Sequence, residues 1–268
     1  MDFNKVIFFR NDDAGMYSTE PVSPELINLT NLFLEEKIPI SHGVVPAVVS
    51  RETVEWLRDV KSKYPHLIGI DQHGYAHRKY ERGEFGGNRG YQEQKMEISA
   101  GLSFMKEKFG LDFSYCFTAP WVKYNRDTKL ICNELGYKIF SGGVSPKLHA
   151  RIFNNLGRIL NLTVLGSKEV SYHRRNHFGQ NGFSVAEVSV SIDVTENYQE
   201  KFLKSNELIF HRYKKCKRYF NVIGFMLHHW VFDSQIKLNH MKTLLTELKQ
   251  DSDISFKLLE DVPDVIKG

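Results

Sequence analysis

Short apolar stretches rich in β-branched and aromatic residues alternate along the chain with longer stretches in which apolar residues recur at helical spacing. The first type predicts strands at residues 6–10, 38–45, 66–71, 114–118, 137–140, 184–192 and 222–228. The second type predicts helices at residues 24–37, 51–63, 91–109, 126–135, 196–218 and 234–250. Residues 141–182, where Gly, Asn, His and Arg are frequent, predict irregular loops around short strands. The alternation of strands and helices indicates a parallel sheet, closed or nearly closed into a barrel.

Length and composition fit a single domain spanning residues 1–268, with 41% hydrophobic and 25% charged residues. The formal net charge is +4, and the densest basic run, residues 212–218, is typical of a solvated helix face rather than a nucleic-acid site. Three cysteines without a CxxC pair predict reduced, buried thiols. The N-terminal residues turn acidic after an apolar run too short for a signal peptide or a membrane span. We therefore expect a cytoplasmic protein with no membrane span and no nucleic-acid partner; the sequence predicts no oligomeric state.

Aspartates and histidines are concentrated where the predicted strands end. In (β/α) barrels, functional residues lie at the C-terminal ends of the strands, so this enrichment predicts a site at one mouth of the barrel. Ordinary solvated loops would carry more Lys, Glu and Ser. The residues at these ends are Asn11-Asp12-Asp13, Ser41-His42, Asp71-Gln72-His73, Pro120-Trp121, Asp193 and His228-His229.

Two of these ends suggest a metal ion. His73 and His77, four residues apart after a strand, can converge on one ion, and Gly74 permits a sharp reversal of the chain between them. Asp12 and Asp13 would repel each other unless a cation or a proton lies between them. In one interpretation this pair is a turn with a helix cap. In the other, one carboxylate binds a metal and the other takes a proton from water.

Two further strand ends carry aromatic and histidine side chains. Pro120 and Trp121 could simply plug the mouth of the barrel. His228 and His229 stand in tandem at the end of a very apolar strand. A lone buried histidine is usually structural, but strand alternation would point one of these two into the site.

Together these segments resemble the polysaccharide deacetylases, the NodB-like carbohydrate esterases. Asp12-Asp13 matches the family's first motif, and His73-Gly74-Tyr75-Ala76-His77 matches its His-Ser/Thr-x-x-His motif. Ala119-Pro120-Trp121 is similar to the third motif, built around Pro-Pro-Tyr, and Leu227-His228-His229 is similar to Leu-x-His. The motifs occur in family order from residue 12 to residue 229, nearly the whole chain.

The resemblance implies a distorted (β/α) barrel with fewer than eight repeats, about seven strands here. It also implies one divalent ion, zinc by default, with cobalt, nickel or manganese also suited. The ligands would be Asp13, His73 and His77. Asp12 would be the general base, and the backbone N–H of Trp121 would help to stabilise the oxyanion. The tandem histidines leave the general acid open between His228 and His229, and the spacing from Leu227 favours His229.

Three positions depart from the family pattern. Gly74 stands where a Ser or Thr hydroxyl usually supports the loop, and Thr118 stands where an Arg commonly tethers the base carboxylate. Arg10 or another residue must then supply that charge, or none does. No Asp-x-x-Asp-Trp motif is visible, so Asp193 is the candidate residue to orient the acid histidine.

The resemblance implies hydrolysis of an N-acyl group, usually acetyl on an amino sugar. We expect the substrate to be an amino sugar or a glycan precursor, in surface-polysaccharide biosynthesis, contacted by Pro120, Trp121, Tyr75 and Arg174. Two alternatives stay open. The same site could hydrolyse a C–N bond of a non-sugar molecule, or the protein could be a catalytically silent glycan-binding module.

Overall fold

The computed structural model describes residues 5–145, 152 and 184–267. Its helices are α1 (Pro24–Glu35), α2 (Arg51–Lys63), α3 (Tyr91–Phe109), α4 (Arg126–Glu134), α5 (Asn206–Tyr219), α6 (Gln235–Lys249) and α7 (Val262–Lys267). The strands of the first half are β1 (Lys5–Ala14), β2 (Ile40–Val44), β3 (Ile68–His73), β4 (Cys116–Thr118) and β5 (Ile139–Ser141). Those of the second half are β6 (Ala186–Glu187), β7 (Val190–Asp193), β8 (Thr195–Asn197), β9 (Phe202–Leu203), β10 (Val222–His228) and β11 (Ile254–Phe256).

The main sheet is parallel and curls into a barrel-like shape. Its strand order is β6-β5-β4-β3-β2-β1-β10-β7, and β11 pairs with the first residues of β1. The segment 184–192, predicted as one strand, bends into β6 beside β5 and β7 beside β10. A parallel bridge between Gly143 and Val190 also joins the two ends of the order. The predicted distorted (β/α) barrel is thus confirmed, with β11 as a strand that the sequence pattern did not predict.

Alternation along β1 divides the core between two faces. Ile7 and Phe9 pack outward against the helices, where Phe9 contacts Phe33 of α1 at a ring-centroid distance of 5.0 Å. Val6 and Phe8 belong to the second cluster, inside the barrel. Since successive side chains of a strand point to opposite faces, Arg10 and Asp12 follow Phe8 on the inner face. The C-terminal end of β1 thereby directs charged groups into the barrel mouth.

One helix prediction is wrong over its first ten residues. The segment 196–205 forms the end of β8, the short strand β9 and their connection, in a two-stranded antiparallel sheet apart from the barrel. Helix α5 begins only at Asn206, because the Ser205 side chain accepts a hydrogen bond from the N–H of Leu208 and caps the helix there. This hairpin places Tyr198 beside the barrel mouth.

Two composition-based expectations can also be compared with the structure. Cys116, Cys132 and Cys216 are buried free thiols, as expected. Among the described residues, every helix is too short or too polar to cross a membrane.

Candidate metal centre

Asp13, His73 and His77 meet at the C-terminal ends of β1 and β3. Asp13 Oδ1 lies 3.3 Å from His73 Nε2 and 3.1 Å from His77 Nε2, and the three candidate ligand atoms all lie within 4.8 Å of one another. Ligands held tetrahedrally at about 2.0–2.1 Å from one ion would be about 3.3 Å apart. Asp13 Oδ1 is also buried with no hydrogen-bond partner among the described residues. The spacing and the free oxygen both fit a divalent cation.

The electrostatics of these ligands are those of a site that attracts positive charge. Burial would raise the pKa of Asp13, but contacts with His73 and His77 outweigh it and hold that pKa well below its ordinary value. Burial lowers the pKa of His77, yet the nearby Asp13 carboxylate raises it overall. Because a metal takes the place of a proton on such ligands, binding would release protons and depend on pH.

The backbone is strained where it presents these groups. Asp13, His77 and Trp121 are non-glycine residues with φ values of 68°, 51° and 53°, in the left-handed region. Such residues are costly and cluster at functional sites, where the surrounding structure holds them in place. This concentration is an observation that the sequence did not provide.

Glu84 supports the loop that carries His77. Its buried carboxylate accepts hydrogen bonds from the N–H groups of Tyr75 at 3.2 Å and Ala76 at 2.7 Å. A Cβ on Gly74 would lie 2.2 Å from Glu84 Oε2 and 2.5 Å from Pro120 Cγ, and Gly74 has a φ of 58°. The glycine therefore makes room for a carboxylate that supports the loop in place of a hydroxyl. Sequence analysis missed Glu84, which lies in a Gly-rich segment without a motif.

Thr118 orients His73. Its hydroxyl lies 2.8 Å from His73 Nδ1 and donates to the carbonyl of Gln72 at 3.2 Å. A hydroxyl whose proton is given to a carbonyl accepts from an N–H, so His73 carries its proton on Nδ1. This tautomer leaves Nε2 unprotonated toward Asp13, as a metal ligand requires.

Arg10 supplies the charge that the third motif lacks. Its guanidinium donates from Nε and Nη2 to the two carboxylate oxygens of Asp12, each at 2.7 Å. Nη1 donates to the backbone carbonyl and the hydroxyl of Ser141 on β5. Arg10 is fully buried and Asp12 is 2% exposed, so the pair is held in one geometry. The sequence had left the source of this charge open.

The tandem histidines His228 and His229 lie in different surroundings, and the assignment of His229 as the acid stays a prediction. His228 is the last residue of β10, lies opposite Asp12 in the strand register and shares the inner face with Met226. Its Nε2 is 3.8 Å from Asp13 Oδ2. His229 lies beyond the strand and is fully buried. Burial lowers the pKa of the nearby His42, and His229 adds to that shift. Burial lowers the pKa of His229 itself to about 4, although the nearby Asp13 carboxylate raises it.

Asp193 does not contact either histidine. Its carboxylate accepts from the N–H of Thr195 at 2.8 Å and from the hydroxyl of Tyr198 at 2.7 Å. The ring of Tyr198 stands edge-on to His228, with centroids 4.9 Å apart and an interplanar angle of 87°. Asp193 can therefore orient His228 only through Tyr198. The sequence missed Tyr198 because its segment was predicted to be helical.

Trp121 lies on the other side of the site. Its ring, 39% exposed, contacts the ring of His77 at a centroid distance of 4.0 Å. In its turn the N–H groups of Val122 and Lys123 donate to the carbonyls of Ala119 and Pro120. The contact of the Trp121 N–H with an oxyanion stays a prediction. Pro120 is buried beneath it and Tyr75 packs half-buried against the core, so their substrate contacts stay predictions. Arg174 lies outside the described residues.

Comparison with known proteins gave matches in structure only. No protein-family model matches the chain, and no curated protein matches it. A Mycobacterium smegmatis protein assigned to the polysaccharide deacetylases matches at 12% identity and a TM-score of 0.69, over 98% of this chain and 91% of that one. The chain has the fold of the polysaccharide deacetylases. An allantoinase matches at 10% identity and a TM-score of 0.65, over 97% of this chain and 89% of that one.

A third structure with the polysaccharide deacetylase fold contains a metal. This family 4 acetyl xylan esterase from Clostridium thermocellum, in complex with a cobalt ion, matches at 10% identity and a TM-score of 0.54, over 98% of this chain and 91% of that one. At these identities the matches establish the fold alone. What the site of this chain can do must be argued from its own residues.

Proposed function

We propose that this protein is a metal-dependent hydrolase that removes an N-acyl group, acetyl in the first instance, from an amino sugar or a glycan precursor. The observation that carries the proposal is the convergence of ligand atoms from Asp13, His73 and His77. The buried carboxylate of Asp12 and the imidazole of His228 lie beside this cluster. A hydrolase of this kind needs an ion, a base and an acid within reach of one carbonyl. A polysaccharide deacetylase and an acetyl xylan esterase among the solved structures with this fold support an acetylated carbohydrate as the substrate.

The roles follow from position and partners. A divalent ion held by Asp13, His73 and His77 would act as a Lewis acid on water and the substrate carbonyl; zinc is our first choice, and cobalt, nickel or manganese would also suit the ligands. Asp12, fixed by Arg10, takes the proton from the attacking water as the new C–O bond forms.

The remaining groups act on the other side of the carbonyl. The N–H of Trp121 donates to the developing oxyanion. His228 gives a proton to the nitrogen as the C–N bond breaks, so the products are a carboxylic acid and an amine. The Nε2 atom of His228 lies 3.8 Å from Asp13 Oδ2, which puts it within reach of a group bound at the site.

A second candidate function is hydrolysis of a C–N bond in a non-sugar molecule. The match to an allantoinase, at a TM-score of 0.65, favours keeping it. A third interpretation, a silent glycan-binding module, predicts no turnover and a glycan affinity that survives loss of the base.

The test is turnover by the zinc- and the cobalt-loaded protein on a panel of N-acetylated sugars, linear amides and cyclic ureides. We expect hydrolysis of at least one N-acetyl sugar. Asp12→Asn should retain metal and lower kcat by about 10²–10⁴-fold, the usual contribution of a general base. Turnover of the amides or ureides alone would replace the sugar substrate by the second candidate. No turnover by any loaded form, with glycan affinity kept in Asp12→Asn, would leave the binding module.

The same assay decides between the tandem histidines. His228→Asn should lower kcat by at least about 10²-fold, whereas His229→Asn should change the kcat of the folded protein much less. His240→Asn, in α6 and bonded to the carbonyl of Lys204, is the matched control. A larger loss of kcat in His229→Asn than in His228→Asn would restore the assignment made from the sequence.

A further inference from the structure

Trp230 touches the candidate metal centre through its indole nitrogen. It lies in the short 3₁₀ turn His229–Val231 that follows β10, and its Nε1–H donates to Asp13 Oδ2 at 3.1 Å. The other oxygen of the same carboxylate, Oδ1, faces His73 Nε2 and His77 Nε2 and has no hydrogen-bond partner among the described residues. The two oxygens of Asp13 are thus distinguished, one being bonded to the protein and one left for an ion.

Three aromatic rings hold this indole in place. Tyr17 packs against it with centroids 4.6 Å apart, and the rings of Tyr198 and His228 are each at 5.9 Å. Trp230 itself is half-buried. A side chain confined on several sides keeps its donor aimed at one acceptor without loss of much rotamer freedom on binding. The hydrogen bond to Asp13 is therefore built into the site before any ion arrives.

We propose that Trp230 is a positioning residue for the metal ligand Asp13, which it holds as a one-oxygen ligand of a divalent cation. With Oδ2 committed to the indole N–H, Asp13 presents only Oδ1 toward the two imidazoles. This saves the cost of orienting the carboxylate when the ion binds, and it keeps the remaining coordination positions free for water and substrate. The inference rests on the metal site of the proposed function. It assigns to Trp230, which belongs to none of the four family motifs, the hydrogen bond that fixes Asp13.

The experiment compares Trp230→Phe with the parent protein. Phenylalanine keeps a smaller ring between Tyr17 and Tyr198 and removes the N–H; the Trp56→Phe control has the same loss of ring volume. Zinc affinity is measured by competition with a chromophoric chelator, and the visible absorption spectrum of the cobalt-loaded protein reports coordination geometry. We expect about 10–100-fold weaker zinc binding, as is typical when a hydrogen bond to a ligand is lost, together with a changed cobalt spectrum. Trp56→Phe, the same substitution in α2 away from the site, is the matched control and should bind zinc as the parent does.

The outcomes separate this inference from the proposed function. If the parent binds about one equivalent of zinc and Trp230→Phe binds it equally well with an unchanged cobalt spectrum, Trp230 has no positioning role and the metal site stands. If the parent binds no metal, the metal site itself fails, and the positioning role fails with it.

A second measurement serves if Trp230→Phe does not fold. The chain has three tryptophans, so ¹⁵N-labelled indoles give three N–H signals in the parent. The signal of the hydrogen-bonded Trp230 should exchange slowly with solvent, shift when zinc is added, and lose both properties in Asp13→Ala. Three indole signals that are all indifferent to zinc would overturn the inference.

Discussion

Replacing Arg10 by Met tests whether the buried ion pair holds the proposed base in place. The guanidinium makes two hydrogen bonds of 2.7 Å to Asp12 and two more, of 2.9 and 3.0 Å, to Ser141. Arg10→Met fills much of the same volume but leaves the Asp12 carboxylate buried without a cation. Removing one partner of a buried pair costs about 3–5 kcal/mol, because the remaining charge is uncompensated. We expect the free energy of unfolding to fall by about this amount.

A double-mutant cycle separates the pair from general damage to the core. In Arg10→Met combined with Asp12→Asn the stranded charge is gone, so the double variant should be more stable than the sum of the two single losses predicts, by at least about 1 kcal/mol. Lys217→Met is the matched control: its cation bonds to both oxygens of Asp251 at 2.7 Å, but the pair is partly exposed and lies on α5, away from the site. It should cost about 1 kcal/mol or less.

Urea denaturation gives the stabilities, and turnover of the metal-loaded protein gives the functional effect. Arg10→Met should lower kcat because Asp12 loses its fixed orientation, whereas Lys217→Met should leave kcat unchanged. Arg10→Lys keeps the charge without the two-pronged geometry and should be intermediate in both measurements. An Arg10→Met protein as stable as the parent, or additive effects in the cycle, would refute the claim that Arg10 holds Asp12.

Three further substitutions test other parts of the site and its support. Gly74→Ala should lower the free energy of unfolding by roughly 2–5 kcal/mol, because its Cβ would meet Glu84 and Pro120 at a positive φ. Gly136→Ala, at a φ of 79° with no atom near, should cost only about 1–2 kcal/mol, and equal costs in urea denaturation would contradict this. Thr118→Val should weaken zinc binding about 10–100-fold, because His73 loses the hydroxyl that orients it. Thr30→Val, beside the buried His42, is the control and should leave zinc affinity unchanged. An unchanged zinc affinity of Thr118→Val in chelator competition would contradict the orienting role of Thr118. Burial raises the pKa of Asp71 from 3.8 to about 7, so the folded protein favours the neutral carboxyl, and this stabilisation is lost as pH rises from about 4 through 7. Relative to Asp71→Asn, the free energy of unfolding of the parent should therefore fall by about 2–3 kcal/mol between pH 5 and pH 8. Parallel stability profiles of the two proteins would refute the raised pKa.

The sequence predicted the barrel and the three candidate ligands because both depend on short-range patterns. Apolar runs of strand length mark the sheet, and parallel strands gather their C-terminal ends at one mouth, which predicts that the aspartate pair and the two histidines are neighbours. The choice of Asp13 rather than Asp12 as the ligand is implied by the resemblance. The choice between His228 and His229 depended on where β10 ends and on which face its last residue occupies. In the structure Met226 and His228 share the inner face of β10, and His229 begins the 3₁₀ turn that follows the strand.

The supporting residues could not be predicted because they meet the site only through tertiary packing. Tyr198 lies in a polar stretch whose sequence predicts the start of a helix. In the structure the helix begins only after the Ser205 cap, and the hairpin before it places the Tyr198 ring beside His228. Trp230 follows the tandem histidines directly, yet nothing in that spacing indicates that its N–H reaches Asp13. Glu84 likewise acts across a loop without a recognisable pattern.

The departures from the family pattern bear on whether the site is active or degenerate. Buried polar groups in folded proteins are usually hydrogen-bonded, so a substitution that removes one partner calls for another. Here Arg10 binds both oxygens of Asp12 although position 118 lacks an arginine, and the threonine at 118 is itself bonded to His73. Glu84 accepts from the loop that lacks a hydroxyl. A protein that only binds glycans has no need to keep a buried carboxylate oriented by a buried guanidinium, which is costly to desolvate. These pairings keep Asp12 and His73 fixed in the way that the proposed hydrolase requires.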